Sequence, residues 1–343
     1  MAVREGRTTV ASRSGAATIA EVAQRAGVSP ATVSRVMNGR FVGEPQVAER
    51  VRQAAAELDY SPNHLARSLA LGETKAIAFL VPDLSNPAFQ AVLSSLSKTA
   101  AKDGYRVLVV DSGESPTEEP LLAAEARRRC DAIVLCAPRM SEDDLVVAAD
   151  ALRPVVVINR QTSRVSAPTL SIDYRSGVES LARHLYDLGH RHLVFLEGPE
   201  GSVSNRARLL GLEDFERSTP DVRLDRLPVG AGSEDGLLAA GDVIATGATA
   251  ALAFNDLVAV GLIGGLVERG VRVPEDLSVT GFDDIPFARY ISPPLTTASV
   301  PHEELGVQAW SRMRSLVRHE TPEHNVLFQP RLELRKSTAA PRA

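Results

Sequence analysis

The feature that most constrains this fold is a repeated alternation of short apolar runs with helix-length segments. Three of the runs are KAIAFLVPD, YRVLVVD and CDAIVLCAP, which begin at Lys75, Tyr105 and Cys130. RPVVVINR, LVFLEGP, ALAFND and LSVTGFDD continue the pattern to residue 284. Apolar runs that alternate with helices predict parallel sheets with helices on both faces. Because the number of strands is large for one sheet, we expect two α/β subdomains.

Composition limits the compartment and the chemistry. Hydrophobic residues make up 44% of the 343 residues and charged residues 24%, values typical of a globular chain long enough for two or three compact units. The two cysteines, Cys130 and Cys136, are too few for a disulfide framework and indicate a reducing compartment. No stretch has the apolar length of a signal peptide or a membrane span. We therefore predict a cytoplasmic protein without a membrane partner.

Charge is distributed unevenly along the chain. Residues 1–75 contain ten Lys/Arg and seven Asp/Glu residues, a net charge of +3. The remaining residues contain 28 Lys/Arg and 36 Asp/Glu, a net charge of −8. A basic N-terminal region on an acidic body favours an anionic partner for that region. A solvated charged surface would explain the same imbalance, so charge alone does not decide the function.

The N-terminal region begins with residues 1–17, rich in small residues and arginine, which we expect to form a flexible tail. Helical order is predicted from Thr18, because Thr18 and Glu21 have the spacing of a capping box. Apolar residues then recur at helical spacing until Gly27. This glycine is predicted to end the first helix and to supply the turn.

A second helix is predicted directly after the turn. Ser29 is suited to cap it, Pro30 fits its first position, and Gly39 stands where a left-handed C-cap belongs. Its apolar stripe consists of Val33, Val36 and Met37. A third helix is predicted from about Pro45 to Asp59. Three short helices with a tight turn between the first two predict a helix-turn-helix unit over residues 18–60.

The second helix leaves a polar face that suits DNA. Short hydroxyl groups suit phosphate oxygens, and Arg35 suits guanine, with which arginine makes the commonest specific contact. The face consists of Thr32, Ser34, Arg35 and Asn38. We predict that this helix binds DNA. A small helical bundle without a ligand is the alternative, since the three-helix pattern alone also occurs in such bundles.

Two longer stretches carry a resemblance to a known family. TIAEVAQRAGVSPATVSRVMNG (18–39) and ELDYSPNHLARSLALGETKAIAFLVPD (57–83) closely resemble the LacI/GalR family of bacterial transcription regulators. The resemblance extends over almost the whole chain. It implies that residues 61–74 form a hinge and linker, of which 61–71 becomes a short helix on operator DNA.

The resemblance also implies how the hinge contacts DNA. In the family a leucine from each subunit wedges into the minor groove, where an apolar side chain unstacks a base step. Leu69 matches that leucine, and Ala66 matches a small residue that lets paired hinge helices approach. Without the preceding motif, Leu65 and Leu69 would be interpreted as an apolar helix pair.

The set of residues expected to contact DNA extends over both segments. It comprises Thr18, Ser29, Pro30, Ala31, Thr32, Ser34, Arg35, Asn38, Asn63, Ala66 and Leu69. Pro30 and Ala31 occupy positions where some relatives carry larger polar specificity residues. Base reading is therefore expected to depend on Arg35, with the remaining selectivity coming from the Leu69 hinge and from DNA shape.

For the rest of the chain the resemblance implies a periplasmic-binding-protein-like effector and dimerisation domain over 75–338. It consists of two Rossmann-like subdomains, which we place at about 75–172 plus 303–326 and at 173–302 plus 327–338. Ligands of open α/β sheets bind beyond the carboxyl ends of the strands. The polar residues at those ends are Asp83, Asn86, Asn159, Arg160, Asn255, Asp256, Asp283 and Asp284.

Seven residues match effector-binding positions of the family. They are Asn86, Phe89, Asn159, Arg160, Arg208, Asn255 and Asp283. Arg208, in an Arg-x-x-Gly motif, matches a ligand-clamping arginine, whereas Asn255 and Asp283 match groups that commonly bind ligand hydroxyls. The chain departs from the family at Ala88, which replaces an aromatic residue, and at Val300, which stands where many members have glutamine.

Structural alternatives exist for several of these residues. Asn255 and Asp284 could cap the helices that follow them, and Phe89 could be plain core. Asp256 is interpreted as structural. Taken together, amides, a carboxylate and two arginines suit a small polyhydroxylated ligand. A sugar or sugar phosphate is the first prediction for the effector, and a nucleoside or purine the second.

Three other patterns are weaker. The spacing of Gly230, Gly232 and Gly236 does not fit a dinucleotide loop. The histidines of HLYDLGHRHLVFL (184–196) lack convincing metal spacing, and in the family this segment is a structural turn. No nucleophile elbow or Walker loop is present. We expect no cofactor, no metal and no enzyme activity. A solute-binding protein would fit the body alone.

The sequence thus predicts a ligand-controlled, sequence-specific DNA-binding regulator, and we expect a repressor. Two half-sites read by a two-fold homodimer predict a near-palindromic double-stranded operator. The C-terminus, LELRKSTAAPRA, lacks the leucine heptad of the tetrameric members, so a dimer is expected. The sequence does not indicate whether the effector releases DNA or promotes its binding.

Overall fold

A computed structural model describes residues 17–37, 39–60, 73–160, 162–323 and 325–342 of the chain. The chain divides between Thr74 and Lys75 into two units, which we call the head and the body. Within the described residues the head contains three helices: α1 (Ile19–Ala26), α2 (Pro30–Met37) and α3 (Pro45–Glu57). No helix of the described residues has both the length and the apolar character required to cross a bilayer.

The ends of the first two helices follow from local side-chain chemistry. The Thr18 backbone N–H donates to Glu21 at 2.6 Å, and the Thr18 hydroxyl accepts from the Glu21 N–H at 3.4 Å. This reciprocal capping box begins α1, and Gly27, with φ of 65°, ends it. The Ser29 hydroxyl accepts from the Thr32 N–H at 3.2 Å and so caps α2. The predicted starts of both helices are confirmed.

The three helices share a small apolar core. Val22, Val33 and Val51, one from each helix, are fully buried. An ion pair between Arg25 and Glu57 at 2.7 Å joins α1 to α3 at the surface. The third helix ends at Glu57, two residues before the predicted end, because the chain turns through Leu58 into a left-handed residue at Asp59.

The body contains two six-stranded sheets. The first is formed by β1 (Ala76–Val81), β2 (Arg106–Asp111), β3 (Ala132–Cys136), β4 (Val155–Ile158), β5 (Thr169–Ile172) and β11 (Val326–Phe328). The second is formed by β6 (His192–Glu197), β7 (Arg223–Pro228), β8 (Ala250–Ala253), β9 (Ser278–Asp283), β10 (Thr296–Ser299) and β12 (Arg331–Glu333). This is the predicted pair of α/β subdomains.

Within the described residues, the first sheet is entirely parallel, and the second is parallel except at one edge. The first has the strand order β11-β5-β4-β3-β1-β2, and the second has the order β12-β10-β9-β8-β6-β7. Among the strands of the described residues, only β12 pairs with its neighbour in the antiparallel direction. Central strands such as Ala132–Cys136 are buried along their whole length, which explains their continuous apolar character.

Helices cover the sheets. They are α4 (Pro87–Lys102), α5 (Glu119–Arg127), α6 (Glu142–Ala151), α7 (Tyr174–Asp187), α8 (Val203–Ser218), α9 (Ser233–Thr246), α10 (Asp256–Glu268) and α11 (His302–Val317). The pairs α4 with α11, α7 with α8 and α9 with α10 pack against each other. Since α11 returns to the first sheet, the chain crosses between the subdomains more than once.

One predicted subdomain boundary is wrong by two residues. We placed 327–338 in the second subdomain, but Val326–Phe328 pairs with Leu170–Ile172 of the first sheet. The chain then crosses at Gln329 and Pro330, and Arg331–Glu333 joins the second sheet. Two three-residue strands separated by two residues leave no periodic pattern from which the crossing could be located.

Candidate functional site

The polar face of α2 lies opposite its buried stripe. Val33 and Val36 are buried in the head core, whereas Ala31 and Arg35 are exposed. The Arg35 Nε–H donates to the Ala31 carbonyl at 3.3 Å, which holds the guanidinium along the helix surface. The helix therefore presents a cation on an otherwise small surface, which suits close approach to a groove of DNA.

The other predicted DNA contacts that the structure describes are also accessible. Thr18, Ser29 and Pro30 are exposed, and Thr32 and Ser34 are half-buried. The Thr32 and Ser29 hydroxyls lie 3.0 Å apart, so part of the polar face is ordered by local hydrogen bonds. Asn38, Asn63, Ala66 and Leu69 lie outside the described residues, as does most of the predicted hinge.

A second candidate site lies in the body, where strands of both sheets end. The cleft, as we call it, holds a cavity of about 30 Å³. Its walls are formed by Asn86, Ala88, Phe89, Glu114, Ala137, Arg139, Asn159, Tyr174, Ser204, Arg208, Ala231, Phe254, Asn255, Asp283 and His302. The backbone at Ala137, Asn159 and Asp283 has positive φ (48°, 57° and 111°), so three strand ends adopt conformations that L-residues avoid. Such conformations often accompany binding sites.

Six of the seven predicted effector residues line this cavity. They are Asn86, Phe89, Asn159, Arg208, Asn255 and Asp283. Arg160 does not line it. Its guanidinium is buried and donates to the Pro138 carbonyl at 3.0 Å, and burial lowers its pKa. In the structure this side chain supports the strand ends rather than the cavity wall, and its predicted contact with the effector stays a prediction.

Arg208 is the most unusual group of the cleft. Its guanidinium lies 4.0 Å from the ring centre of Phe282, 4.4 Å from Tyr174 and 4.6 Å from Phe254. Burial lowers its pKa to about 10. Its Nε–H has no hydrogen-bond partner among the described residues, and one terminal N–H donates to the Ser204 carbonyl at 3.1 Å. A buried cation held by aromatic faces has donors left for a ligand.

Two further polar groups face the cavity from opposite subdomains. The Asn159 Oδ1 is buried and has no hydrogen-bond partner among the described residues. Burial raises the pKa of Asp283 to about 7, although the nearby Arg208 charge acts in the opposite direction. His302 donates from Nε2 to the Asp283 carbonyl at 3.1 Å, and burial lowers its pKa to about 4, which leaves a neutral ring at pH 7.

Asn255 caps the helix that follows it, which was one of the alternatives considered from the sequence. Its Oδ1 accepts from the Val258 N–H at 2.9 Å and its amide donates to the Ala231 carbonyl at 2.9 Å. Asn86 caps α4 in the same way, accepting from the Ala88 N–H at 2.9 Å. The Oδ1 atoms of both side chains are therefore bonded within the protein, and so is the amide N–H of Asn255.

The neighbouring aspartates are structural. Asp256 accepts from the Thr297 hydroxyl at 2.6 Å and from the Ile285 N–H at 2.9 Å, and it is fully buried. Asp284 forms ion pairs with Arg289 and Arg335 and does not cap a helix with its side chain. The structural interpretation of Asp256 is thus supported by its contacts.

The sequence prediction missed the Glu114–Arg139 pair. Arg139 donates from Nε and from a terminal nitrogen to the two carboxylate oxygens of Glu114, the second bond being 2.9 Å long. The buried carboxylate of Glu119 accepts from the backbone N–H groups of Arg139 and Met140 at 2.6 and 2.7 Å. Both Glu114 and Arg139 follow strand ends, a signal that applying the strand-end rule to every strand would have found.

The other missed wall residues had weaker signals. Tyr174 and Phe254 are aromatic residues at strand-to-helix turns, and Ser204 lies one turn before Arg208 on α8. His302 follows β10 at the start of α11. Nothing in the local sequence separates these side chains from ordinary core.

The histidine cluster has structural partners. His190 contacts the Thr249 hydroxyl at 2.8 Å and the Ala339 carbonyl at 2.9 Å, and His192 contacts Asp225 at 2.8 Å. The described residues contain no group of three or more histidine, cysteine or acidic side chains arranged to hold a metal. In the glycine-rich loop, Asp235 accepts from the backbone N–H groups of Ala231 and Gly232 at 3.1 and 2.9 Å, so these donors are already used.

Both units of the chain match known protein families. Residues 18–63 match the bacterial regulatory proteins of the lacI family, and residues 182–338 match a periplasmic binding protein-like domain. An uncharacterized HTH-type transcriptional regulator in the aml 5′ region of Streptomyces limosus is 33% identical over 94% of this chain and 94% of its own length. The HTH-type transcriptional repressor PurR of Histophilus somni (strain 129Pt) is 30% identical over 94% of this chain and 98% of its own length.

Solved structures agree with these relatives. The lac repressor dimer bound to operator and the anti-inducer ONPF has a TM-score of 0.85 at 26% identity, covering 95% of this chain and 100% of that one. A LacI family transcriptional regulator from Enterococcus faecium with bound ribose has a TM-score of 0.70 at 26% identity, covering 77% and 99%.

The helix-turn-helix head and the two-sheet body define a DNA-binding transcriptional regulator with a periplasmic-binding-protein-like effector domain. Because the relatives are regulators, the prediction that the chain is not an enzyme is confirmed. The chain belongs to the LacI family of bacterial regulatory proteins, as the resemblance of its two N-terminal motifs implied.

Proposed function

We propose that this chain is a homodimeric repressor whose head binds a near-palindromic operator and whose body binds a small polar effector in the cleft. The observation that carries the proposal is the convergence of Asn159, Arg208 and Asp283, which come from both subdomains, on one cavity. Buried amide, guanidinium and carboxylate groups provide the directional hydrogen bonds that a polyhydroxylated ligand requires.

A sugar or sugar phosphate is the favoured effector, and a nucleoside or purine is the second candidate. The ribose-bound E. faecium relative supports the first class. Within the set proposed from the sequence we retain Asn86, Phe89, Asn159, Arg208, Asn255 and Asp283 as effector-binding residues. Asn255 acts through the shape of the wall, since both its Oδ1 and its amide N–H are bonded to the protein, whereas Asn86 uses its Oδ1 to cap α4.

The operator is proposed to be read by two heads. A single α2 covers one half-site, so a two-fold dimer is required to read both halves. The operator-bound lac repressor dimer supports this arrangement. The proposed organisation is a tail over 1–17, a DNA-binding unit over 18–60, a hinge over 61–74 and an effector-binding and dimerisation domain from 75. The roles of Asn63, Ala66 and Leu69 depend on the sequence resemblance.

In vitro selection from random double-stranded DNA tests the head. We expect a near-palindromic consensus for the wild type, and Arg35→Ala should relax the preference at one symmetric base pair, which corresponds to about 1–3 kcal/mol of discrimination. Arg52→Ala, on α3 and paired with Glu49, is the matched control and should retain the consensus. An unchanged preference for Arg35→Ala would remove the proposed role of this residue.

Thermal-shift screening of sugars, sugar phosphates and nucleosides tests the cleft. A ligand at a hundred times its Kd should stabilise the body by about 2.7 kcal/mol through mass action. Arg208→Lys should lose most of the shift, because an ammonium cannot supply the planar donors of a guanidinium. The exposed Asp242→Asn is the control and should keep it. If no compound of the three classes raises Tm, the proposed cleft function is refuted.

A further inference from the structure

We propose that the effector carries an anionic group and that Arg139 is the residue that selects it. This inference rests on the proposed effector function and narrows its ligand class. The anion, a carboxylate or a phosphate on a polyhydroxylated body, would lie between Arg139 of the first subdomain and Arg208 of the second. Glu114 would hold Arg139 in place until the ligand replaces it.

Arg139 is built into the wall rather than extended into solvent. Its side chain is only 6% exposed, and the buried Glu119 carboxylate fixes the backbone that carries it. The Ala137 carbonyl accepts from a terminal nitrogen of Arg139 at 3.0 Å. An ordinary surface arginine has neither constraint. Several buried hydrogen bonds therefore hold Arg139 in the wall of the cavity.

The bonds of Arg139 leave capacity for a ligand. A guanidinium has five N–H groups. Within the described residues, two of them donate to Glu114 and one to Ala137. Glu114 is more accessible than its partner, with a side-chain exposure of 29%. A ligand anion that enters the cleft can therefore exchange with an acid at the rim without breaking the buried support of the arginine.

Charge in the cleft favours an anion. Arg139 and Arg208 both line one cavity, and burial lowers the pKa of Arg208, with Tyr174, Asp283 and Asp256 acting in the opposite direction and Arg139 adding a smaller lowering effect. Arg208 forms no ion pair with a carboxylate among the described residues, and Asp283 is only partly ionised near pH 7. A ligand carboxylate or phosphate would relieve this repulsion and can bond both fork-shaped donors.

The test uses matched ligand pairs. Full-length protein is screened by thermal shift, at constant ionic strength, with glucose against gluconate, glucose against glucose 6-phosphate, and ribose against ribose 5-phosphate. We expect the anionic member of at least one pair to give the larger rise in Tm. The gluconate and phosphate arms distinguish a carboxylate from a phosphate ligand.

Isothermal titration calorimetry of variants then tests which residue determines the preference for the anionic ligand. It uses the ligand pair with the largest difference in Tm. Arg139→Gln should raise the Kd for the anionic ligand at least tenfold and leave the Kd for the neutral ligand within twofold of the wild-type value. Glu114→Gln should strengthen the anionic ligand, since it removes the competing carboxylate. Arg128→Gln, an exposed arginine of the same subdomain that does not line the cavity, is the control and should change neither.

Two outcomes would overturn the inference and are distinct from a failure of the proposed function. Neutral members that bind as well as or better than their anionic partners would refute the anionic effector while keeping a cleft ligand. Equal losses of both ligands in Arg139→Gln would make this residue a structural support. If no member of any pair and no nucleoside raises Tm, the proposed function fails, and the inference fails with it.

Discussion

Asp256 and Asp283 lie close together in the body, but their surroundings give them different roles. Asp256 is enclosed by donors of the protein itself, the Ile285 N–H and the Thr297 hydroxyl. Asp283 lies in the wall of the cleft cavity, and the backbone of Asp283 and Asp284 has positive φ (111° and 58°). Burial raises the pKa of both carboxyl groups. Of these two carboxyl groups, only that of Asp283 lies in the cavity wall, where it can contact a ligand.

Asp256→Ala should destabilise the body without any ligand. The change leaves two buried donors without an acceptor, which costs about 2–4 kcal/mol of the free energy of unfolding. Urea denaturation followed by circular dichroism measures it. Asp242→Ala, exposed on α9, is the matched control and should remain within about 0.5 kcal/mol of the wild type. Equal midpoints for the two variants would contradict the structural role of Asp256.

Asp283 should make the stability of the body depend on pH. Its pKa is about 7 in the folded body and 3.8 as the reference value, so the folded state keeps a proton that the unfolded state releases. The resulting stabilisation is present in full below pH 4 and is lost as the pH rises through 7. It amounts to as much as about 4 kcal/mol at 1.36 kcal/mol per pKa unit.

Asp283→Asn removes this contribution to the free energy of unfolding. The contribution of the histidines changes with pH in the opposite direction, and it cancels when the variant is compared with the wild type. The Tm of the variant relative to the wild type should therefore increase as the pH is raised from 5 to 8. Differential scanning calorimetry at several pH values measures the difference. A difference that does not change with pH would show that the carboxyl has an ordinary pKa.

At the scale of single residues, the sequence predicted positions better than roles. Six of the seven effector candidates, all taken from the resemblance to the LacI/GalR family, lie on the cavity wall. Arg160 donates to the Pro138 carbonyl instead of lining the cavity, a contact between residues 22 positions apart that the local sequence does not indicate. The Glu114–Arg139 pair joins residues 25 positions apart, so its geometry exists only once β2 and β3 lie in one sheet.

Among the helices and strands, the close packing of α9 against α10 depends on glycine. A Cβ at Gly261 would lie 1.8 Å from the Ser233 carbonyl oxygen, and one at Gly236 would lie 2.0 Å from that of Val258. The backbones of the two helices therefore approach to a distance that no side chain allows. Glycine disfavours a helix interior, so the stretch VGLIGGL does not indicate from its sequence which of its glycines face a partner helix.

Gly261→Ala should separate the two helices and lower the free energy of unfolding by at least about 2 kcal/mol. Gly264→Ala on the same helix is the matched control, since its Cβ would meet only Leu237 Cδ1 at 3.9 Å. Relief of backbone entropy should stabilise that variant by up to about 1 kcal/mol. Opposite signs in urea denaturation are expected, and similar losses in both variants would contradict the packing.

Element ends were predictable where one residue decides them. The capping box of Thr18 and Glu21 and the left-handed Gly27 are local features, so the eight residues of α1 are delimited by signals within or next to the helix. The crossing after Phe328 depends on the pairing of β11 with β5, residues far apart in the chain, and its predicted position was wrong by two residues. Local chemistry therefore fixes starts and caps, while tertiary pairing fixes where short elements stop.

At the scale of the whole molecule, regulation requires the cleft and the operator site to be coupled. A ligand that binds the free and operator-bound forms with equal affinity changes nothing, however tightly it binds. By thermodynamic linkage, the factor by which the effector changes operator affinity must equal the factor by which operator DNA changes effector affinity. This reciprocity distinguishes a regulator from a DNA-binding protein that carries an unrelated ligand site.

The most direct test of this account is the fluorescence anisotropy of a labelled operator, obtained by in vitro selection, titrated with full-length protein at zero and saturating effector. We predict that the effector from the cleft screen changes the operator Kd at least fivefold, in either direction, and leaves the Kd for scrambled DNA unchanged. Titration of the effector in the presence of operator should show the same factor. An operator Kd that is unchanged when the cleft is fully occupied would contradict the account.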